Sequence, residues 1–166
     1  MRAIIRRREI VEDELRYAGE AAVAGTVTVQ NARDWIAAGA SAAAGAMGSA
    51  VLLSATDEVE ALAAHLDRLR WIVIEFANIG EGRGFSQARM LRQRYRYAHE
   101  LRARGAIKRD QLFFLARCGF DAFELAAAED PAASLAAFNS FSVAYQDGSD
   151  AVVSVRYRTT GAAVSG

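Results

Sequence analysis

From Glu81 to Cys118 the chain carries ten basic residues, Arg83, Arg89, Arg92, Arg94, Arg96, Arg102, Arg104, Lys108, Arg109 and Arg117. Three acids stand against them, Glu81, Glu100 and Asp110, so this stretch has a net charge of +7 in a chain that sums to zero. Guanidinium groups at this density hold anions, and arginine grips a carboxylate, sulfate or phosphate through two parallel hydrogen bonds. The stretch follows Asn78-Ile-Gly-Glu-Gly-Arg-Gly-Phe-Ser86. There Gly82 and Gly84 let backbone approach an anion, Arg83 adds a cation, and Ser86 is placed to cap a following helix. The next turn, Arg104-Gly-Ala-Ile-Lys-Arg-Asp110, brings a second group of cations. Arg102 and Arg104, two apart in a strand, share one face. The candidate anion-binding set is therefore Gly82, Arg83, Gly84, Ser86, Arg102, Arg104, Lys108 and Arg109. The expectation is that these groups converge on one hollow. Set against it is a plain structural turn, with arginines that pair weakly with surface acids. Arg92 and Arg96, four apart, read as a solvated helix face. An enzyme here would use Asp110 or Glu81 as acid or base, although Asp110 reads first as a helix-start acid.

The glycine-rich turn departs from two known phosphate-binding patterns. Phe85 stands where a dinucleotide fingerprint needs glycine, and no Gly-Lys-Ser/Thr follows. The single cysteine, Cys118, sits at the carboxyl end of an expected helix, where the dipole disfavours a thiolate, and reads as a buried structural residue. With His65 and His99 it makes too small a set for a zinc site, and it cannot ligate an iron–sulfur cluster alone. No cofactor is evident and no metal is assigned. Arginines interleaved with Tyr95, Tyr97, Phe113 and Phe114 would suit a nucleic acid, but zero net charge and the lack of a known motif disfavour that reading.

Elements that could position these residues alternate along the chain. Strands are expected from near residues 26, 50, 71, 100 and 122, at spacings of 21 to 29 residues. Between them fall a helix from near Asn31, a second capped by Thr56, an arginine-rich helix over Ser86–Tyr95, and a fourth over Asp110–Arg117 that Gly119 can end. Asp130-Pro131 opens a final helix through Phe138. This rhythm predicts an α/β domain of repeating βα units with a mostly parallel sheet, either open and doubly wound or barrel-like and incomplete. The glycine-rich turn then lies on the carboxyl edge of the strands, where such folds carry their sites. Short hairpins are expected to flank the domain: Arg2–Tyr17 at the start, and Phe141–Tyr145 turning at Asp147-Gly148 toward Val152–Tyr157.

The chain of 166 residues is sized for one domain, 52% apolar and 24% charged. The domain is read as residues 1–146, and residues 147–166 as an extension with a possible strand and a loose tail. No apolar run nears the roughly 18 residues of a membrane span, and the start lacks the pattern of a signal peptide. A cytoplasmic location is the expectation.

Several motifs resemble the bacterial family catalogued as domain of unknown function 934. They are Glu81-Gly-Arg-Gly-Phe-Ser86, Ala88-Arg-Met-Leu-Arg92, Glu100-Leu-Arg-Ala-Arg-Gly105, Asp110-Gln-Leu-Phe-Phe-Leu115, Arg117-Cys-Gly-Phe-Asp-Ala-Phe123 and Phe141-Ser-Val-Ala-Tyr-Gln146. The resemblance covers about residues 57–146. Two positions depart from the family pattern: Glu81 stands for the usual aspartate, and Ala77 for a common proline. Members are described as oxidoreductases of sulfite reduction. The resemblance thus implies an accessory protein of assimilatory sulfur metabolism, either binding a small oxyanion or nucleotide-like anion or docking on sulfite reductase or another sulfate-assimilation protein. Any redox centre would belong to that partner. The alternatives are an enzyme acting on a small anionic substrate and a non-catalytic interaction scaffold; self-association is left open.

Overall fold

The computed structural model describes residues 2–40, 48–78, 80 and 82–142. Among these residues eight strands form one sheet: β1 (Ala3–Arg6), β2 (Glu9–Glu12), β3 (Leu15–Arg16), β4 (Val27–Asn31), β5 (Ser49–Leu53), β6 (Leu69–Phe76), β7 (Glu100–Gly105) and β8 (Ala122–Phe123). Their spatial order is β2-β1-β8-β7-β6-β5-β4-β3. Every neighbouring pair from β3 to β8 is parallel, and β1 joins β8 antiparallel while forming a hairpin with β2.

Parallel strands that pair in sequence order never reverse direction across the sheet, so the switch point of a doubly wound sheet is missing among them. Right-handed crossovers then put every connecting helix on one face, and the sheet curls into a half-barrel. Of the two architectures the strand rhythm allows, the incomplete barrel is the one adopted. The edge strands β2 and β3 are joined by only Asp13 and Glu14. Three Cα steps span at most about 11 Å, so the two ends of the sheet meet at that corner.

Curling divides the core in two. Outside, Val51, Leu53, Ile72, Ile74, Leu101, Ala103 and Phe123 pack against Trp35, Leu62, Ala88, Leu91, Leu112 and Leu115. These come from α1 (Ala32–Ala37), a 3-10 helix (Val59–Arg68), α2 (Arg83–Arg89) with its π-turn extension Met90–Arg94, and α3 (Leu112–Cys118). Inside, Leu15, Tyr17, Val29, Ala50, Trp71 and Val73 form a second cluster drawn from strands and the residue after β3. β6 is covered on both faces, which is why Trp71-Ile-Val-Ile74 has no polar interruption.

Asn31 caps α1, its side-chain oxygen accepting the Arg33 N–H at 3.0 Å, and Gly119 ends α3 at φ 111°. Other local expectations are corrected. Thr56 does not cap the next segment, a 3-10 helix preceded by Glu58. Ser86 is no cap either: α2 begins at Arg83, and the Ser86 hydroxyl donates back to the Gly82 carbonyl at 3.4 Å. The strand expected from Phe141 is displaced at its start by α4 (Pro131–Ser142), which continues through Phe141 and Ser142. The rest of that closing pair, and the candidate acid Glu81, lie outside the described residues.

Candidate functional site

Phe76 at the end of β6 pairs with Gly105 at the end of β7, so the two following turns open side by side on the carboxyl edge. That much of the sequence expectation holds geometrically. Gly82, Arg83 and Ser86 are exposed on the first turn, and Lys108, Arg109 and Asp110 on the second. The second turn is bonded within itself and to the loop before the last helix: the Lys108 N–H donates to the Gln111 side chain at 2.9 Å and the Arg109 N–H to Glu129 at 3.4 Å.

The glycines divide by role. Gly84 is buried within α2, and a Cβ there would lie 2.5 Å from the Phe76 ring and 3.2 Å from Ile74. Its missing side chain lets α2 settle on β6, a packing role distinct from exposing backbone to an anion. Gly82 has open space around it. Gly84→Ala is therefore expected to cost about 1–3 kcal/mol by overpacking. Gly82→Ala should stay within about 0.5 kcal/mol. Urea unfolding of both variants checks this; equal costs would refute the division.

Arg102 and Arg104 do not join the exposed cations. Their side chains point into the barrel, and Arg102 is 0% exposed. Its Nη1 donates to Asp13 Oδ1 at 2.6 Å and its Nε to Glu100 Oε1 at 2.9 Å. Arg104 lies 3.5 Å over the Tyr17 ring and 3.4 Å from Glu124, whose other oxygen accepts the Tyr17 hydroxyl at 2.9 Å. Arg2 binds Asp13 at 2.8 Å, and Arg6 binds Glu100 and Glu14, each at 2.7 Å. Burial opposes the Asp13 charge, yet Arg102 and three hydrogen bonds hold its carboxyl below the ordinary range. For Glu100 burial wins: its carboxyl is pushed up despite Arg102 and Arg6. Burial and the neighbouring Glu124 also raise the Tyr17 phenol. This network neutralises itself within the barrel and leaves no cationic hollow at Arg102.

Arg92, expected on a solvated face, is largely buried. It donates to the carbonyls of Gly119, Tyr97 and His99 at 2.8, 2.6 and 2.8 Å and lies 3.3 Å from Asp121. It ties the end of α3 to the entry of β7. Cys118 is buried, and that burial raises its thiol pKa against the pull of Arg89, so thiolate chemistry at neutral pH is suppressed. Among the described residues no group of three or more His, Cys, Asp or Glu is placed to hold a metal ion. No helix there is long and apolar enough to cross a membrane.

Phe114, one of the aromatics interleaved with the arginines, pairs with Phe85 across the helices that follow the two turns, a pairing that sequence spacing does not show. Phe114 of α3 is 50% exposed and meets Phe85 of α2 edge-on at 4.9 Å, while Phe85 rests 5.1 Å from Phe76. Adjacent Phe113 and Phe114 point about 100° apart on a helix and cannot share one buried face, a signal present in the sequence. The carboxyl edge thus presents an aromatic pair among the exposed cations Arg83, Lys108 and Arg109.

A family model described as bacterial protein of unknown function (DUF934) matches residues 50–155, well over half of the chain. The match takes in β5 to α4 and begins after Asp13, Glu14 and Tyr17, which fill the barrel interior. No curated protein matches the chain.

Proposed function

Since the chain belongs to the bacterial family DUF934, we propose that it is an accessory docking protein, whose carboxyl-edge face receives an acidic surface of the sulfite-reducing machinery. The observation that carries this reading is the half-exposed Phe114 on Phe85, on the edge where Arg83, Lys108 and Arg109 stand exposed. An aromatic anchor supplies desolvated contact area, and surrounding cations select and steer an acidic partner. The pairing of Arg102 and Arg104 within the barrel favours docking over capture of a small oxyanion in a deep pocket at this edge. The sulfur-metabolic setting rests on the family resemblance.

The test is binding of the purified chain to sulfite reductase from the same bacterium. Phe114→Ala is expected to weaken binding by about 10-fold or more. The pair Arg83→Glu with Lys108→Glu should slow association and flatten its salt dependence. All three substitutions are at exposed positions, so the variants should melt like the parent. Retention of full affinity by all variants, or no binding by the parent, would reject the reading.

A further inference from the structure

The opposite, amino edge of the sheet holds a bowl of about 550 Å³. Its wall is formed by Arg68, Arg70 and His99, and its floor by Glu14, Trp71 and Glu100. The two floor carboxylates are already engaged. Arg6 holds both, Arg102 holds Glu100, and the Trp71 indole N–H donates to Glu14 at 3.1 Å. The wall is different. Among the described residues neither Arg68 nor Arg70 forms an ion pair; Arg68 only donates to the Ala40 carbonyl at 3.5 Å, and Arg70 lies 5.1 Å over Trp71. One exposed carboxylate, Asp67, shares the lining, as does Arg7, which lies 4.0 Å from Asp121.

Arg70 owes its direction to a local irregularity. The β5–β6 register runs from Ser49↔Leu69 to Ala50↔Trp71, so Arg70 is an unpaired bulge residue. Bulges re-aim a side chain at the cost of ladder hydrogen bonds. Across from it Gly48 adopts φ +94°, and a Cβ there would lie 3.1 Å from the Arg70 Cβ. Bulge and glycine together clear a place for one guanidinium over the ring that lines the bowl. The His99 ring is steadied by an edge contact with Tyr97 at 5.8 Å.

We propose that this bowl binds a small multiply charged anion with phosphate-type oxyanion groups, spanning the guanidiniums of Arg68 and Arg70. Planar forks with unshared donors suit such groups, and the volume exceeds that of one tetrahedral ion. The site lies on the edge opposite the docking face and does not depend on it.

Calorimetric titration of the full chain with inorganic pyrophosphate at low ionic strength tests it. The expected result is saturable binding, weakened at least ~10-fold by Arg70→Gln and by Gly48→Ala, and unchanged by Arg83→Gln. Arg70 is exposed, so Arg70→Gln should fold normally, and a thermal melt of each variant confirms that. No binding by the parent, equal binding by Arg70→Gln, or equal weakening by Arg83→Gln would each overturn the proposal. Orthophosphate binding as tightly as pyrophosphate would overturn the bridging of two guanidiniums. Because Arg83 belongs to the other edge, failure here and failure of the docking reading are seen separately.

Discussion

Replacing Arg102 by alanine is expected to destabilise the protein by about 3–5 kcal/mol, because it strands Asp13 and Glu100 as buried charges without their shared partner. Arg83→Ala, at an exposed position on the glycine-rich turn, should change stability by no more than about 0.5 kcal/mol. Urea unfolding at neutral pH separates the two. The pH dependence carries a second signature. Asp13 has a depressed carboxyl pKa in the fold, so its contribution is present above its unfolded value and is lost as pH falls through the folded one. Glu100 has a raised pKa and works in the opposite sense, its charged form costing stability as pH rises past its unfolded value. Without Arg102 both carboxyls favour the protonated form more strongly. The penalty of Arg102→Ala should therefore be largest near pH 7 and shrink toward about pH 4, where unperturbed carboxylates titrate. A penalty that stays flat across that range would show that the side chain acts by packing alone.

Gly105→Ala should be the next most damaging change, costing about 2–4 kcal/mol through left-handed strain and a clash together. Gly105 ends β7 at φ +116°, a conformation that L side chains rarely adopt. A Cβ there would also overlap the Phe76 carbonyl oxygen of the neighbouring strand. The Ala106 N–H donates to that same oxygen at 3.4 Å, and the Ile107 N–H donates to the Gly105 carbonyl at 2.8 Å. These bonds fold the chain sharply from β7 toward α3, so the substitution should loosen the carboxyl-edge turn as well as the fold. Amide hydrogen exchange at Ala106 and Ile107 should accelerate in the variant. Parent-like stability and exchange would refute a backbone requirement for glycine at this position.

Much of the architecture was legible because its signals are local. Strand starts expected near 26, 50, 71, 100 and 122 correspond to β4 through β8, since a run such as Trp71-Ile-Val-Ile74 admits few alternatives. The helix start at Asn31 and stop at Gly119 were equally readable, one from a side-chain acceptor and the other from a left-handed turn. Thr56 and Ser86 suit capping by residue type, but the chain coils only from Val59 in one case and already from Arg83 in the other, so neither stands at a helix start. The pattern Glu100-x-Arg102 puts an acid on the same strand face as an arginine, and Glu100 is one of the two carboxylates that hold Arg102. Asp13, the other, offers no such pattern, standing 89 residues from Arg102.

By itself the sequence determined the periodicities: which segments alternate, which are covered on both faces, and which arginines share a side. Composition set the charge of the Glu81–Cys118 stretch at +7. Only the tertiary structure decided which cations are spent and which are available. Curling brings the Asp13–Glu14 corner, Arg2, Arg6 and Glu124 around Arg102 and Arg104, while Arg68 and Arg70 are left facing the amino-edge bowl. The physical reason is that ion pairing acts over a few ångströms in space without regard to separation along the chain. The fate of a guanidinium is settled by the sheet that closes around it.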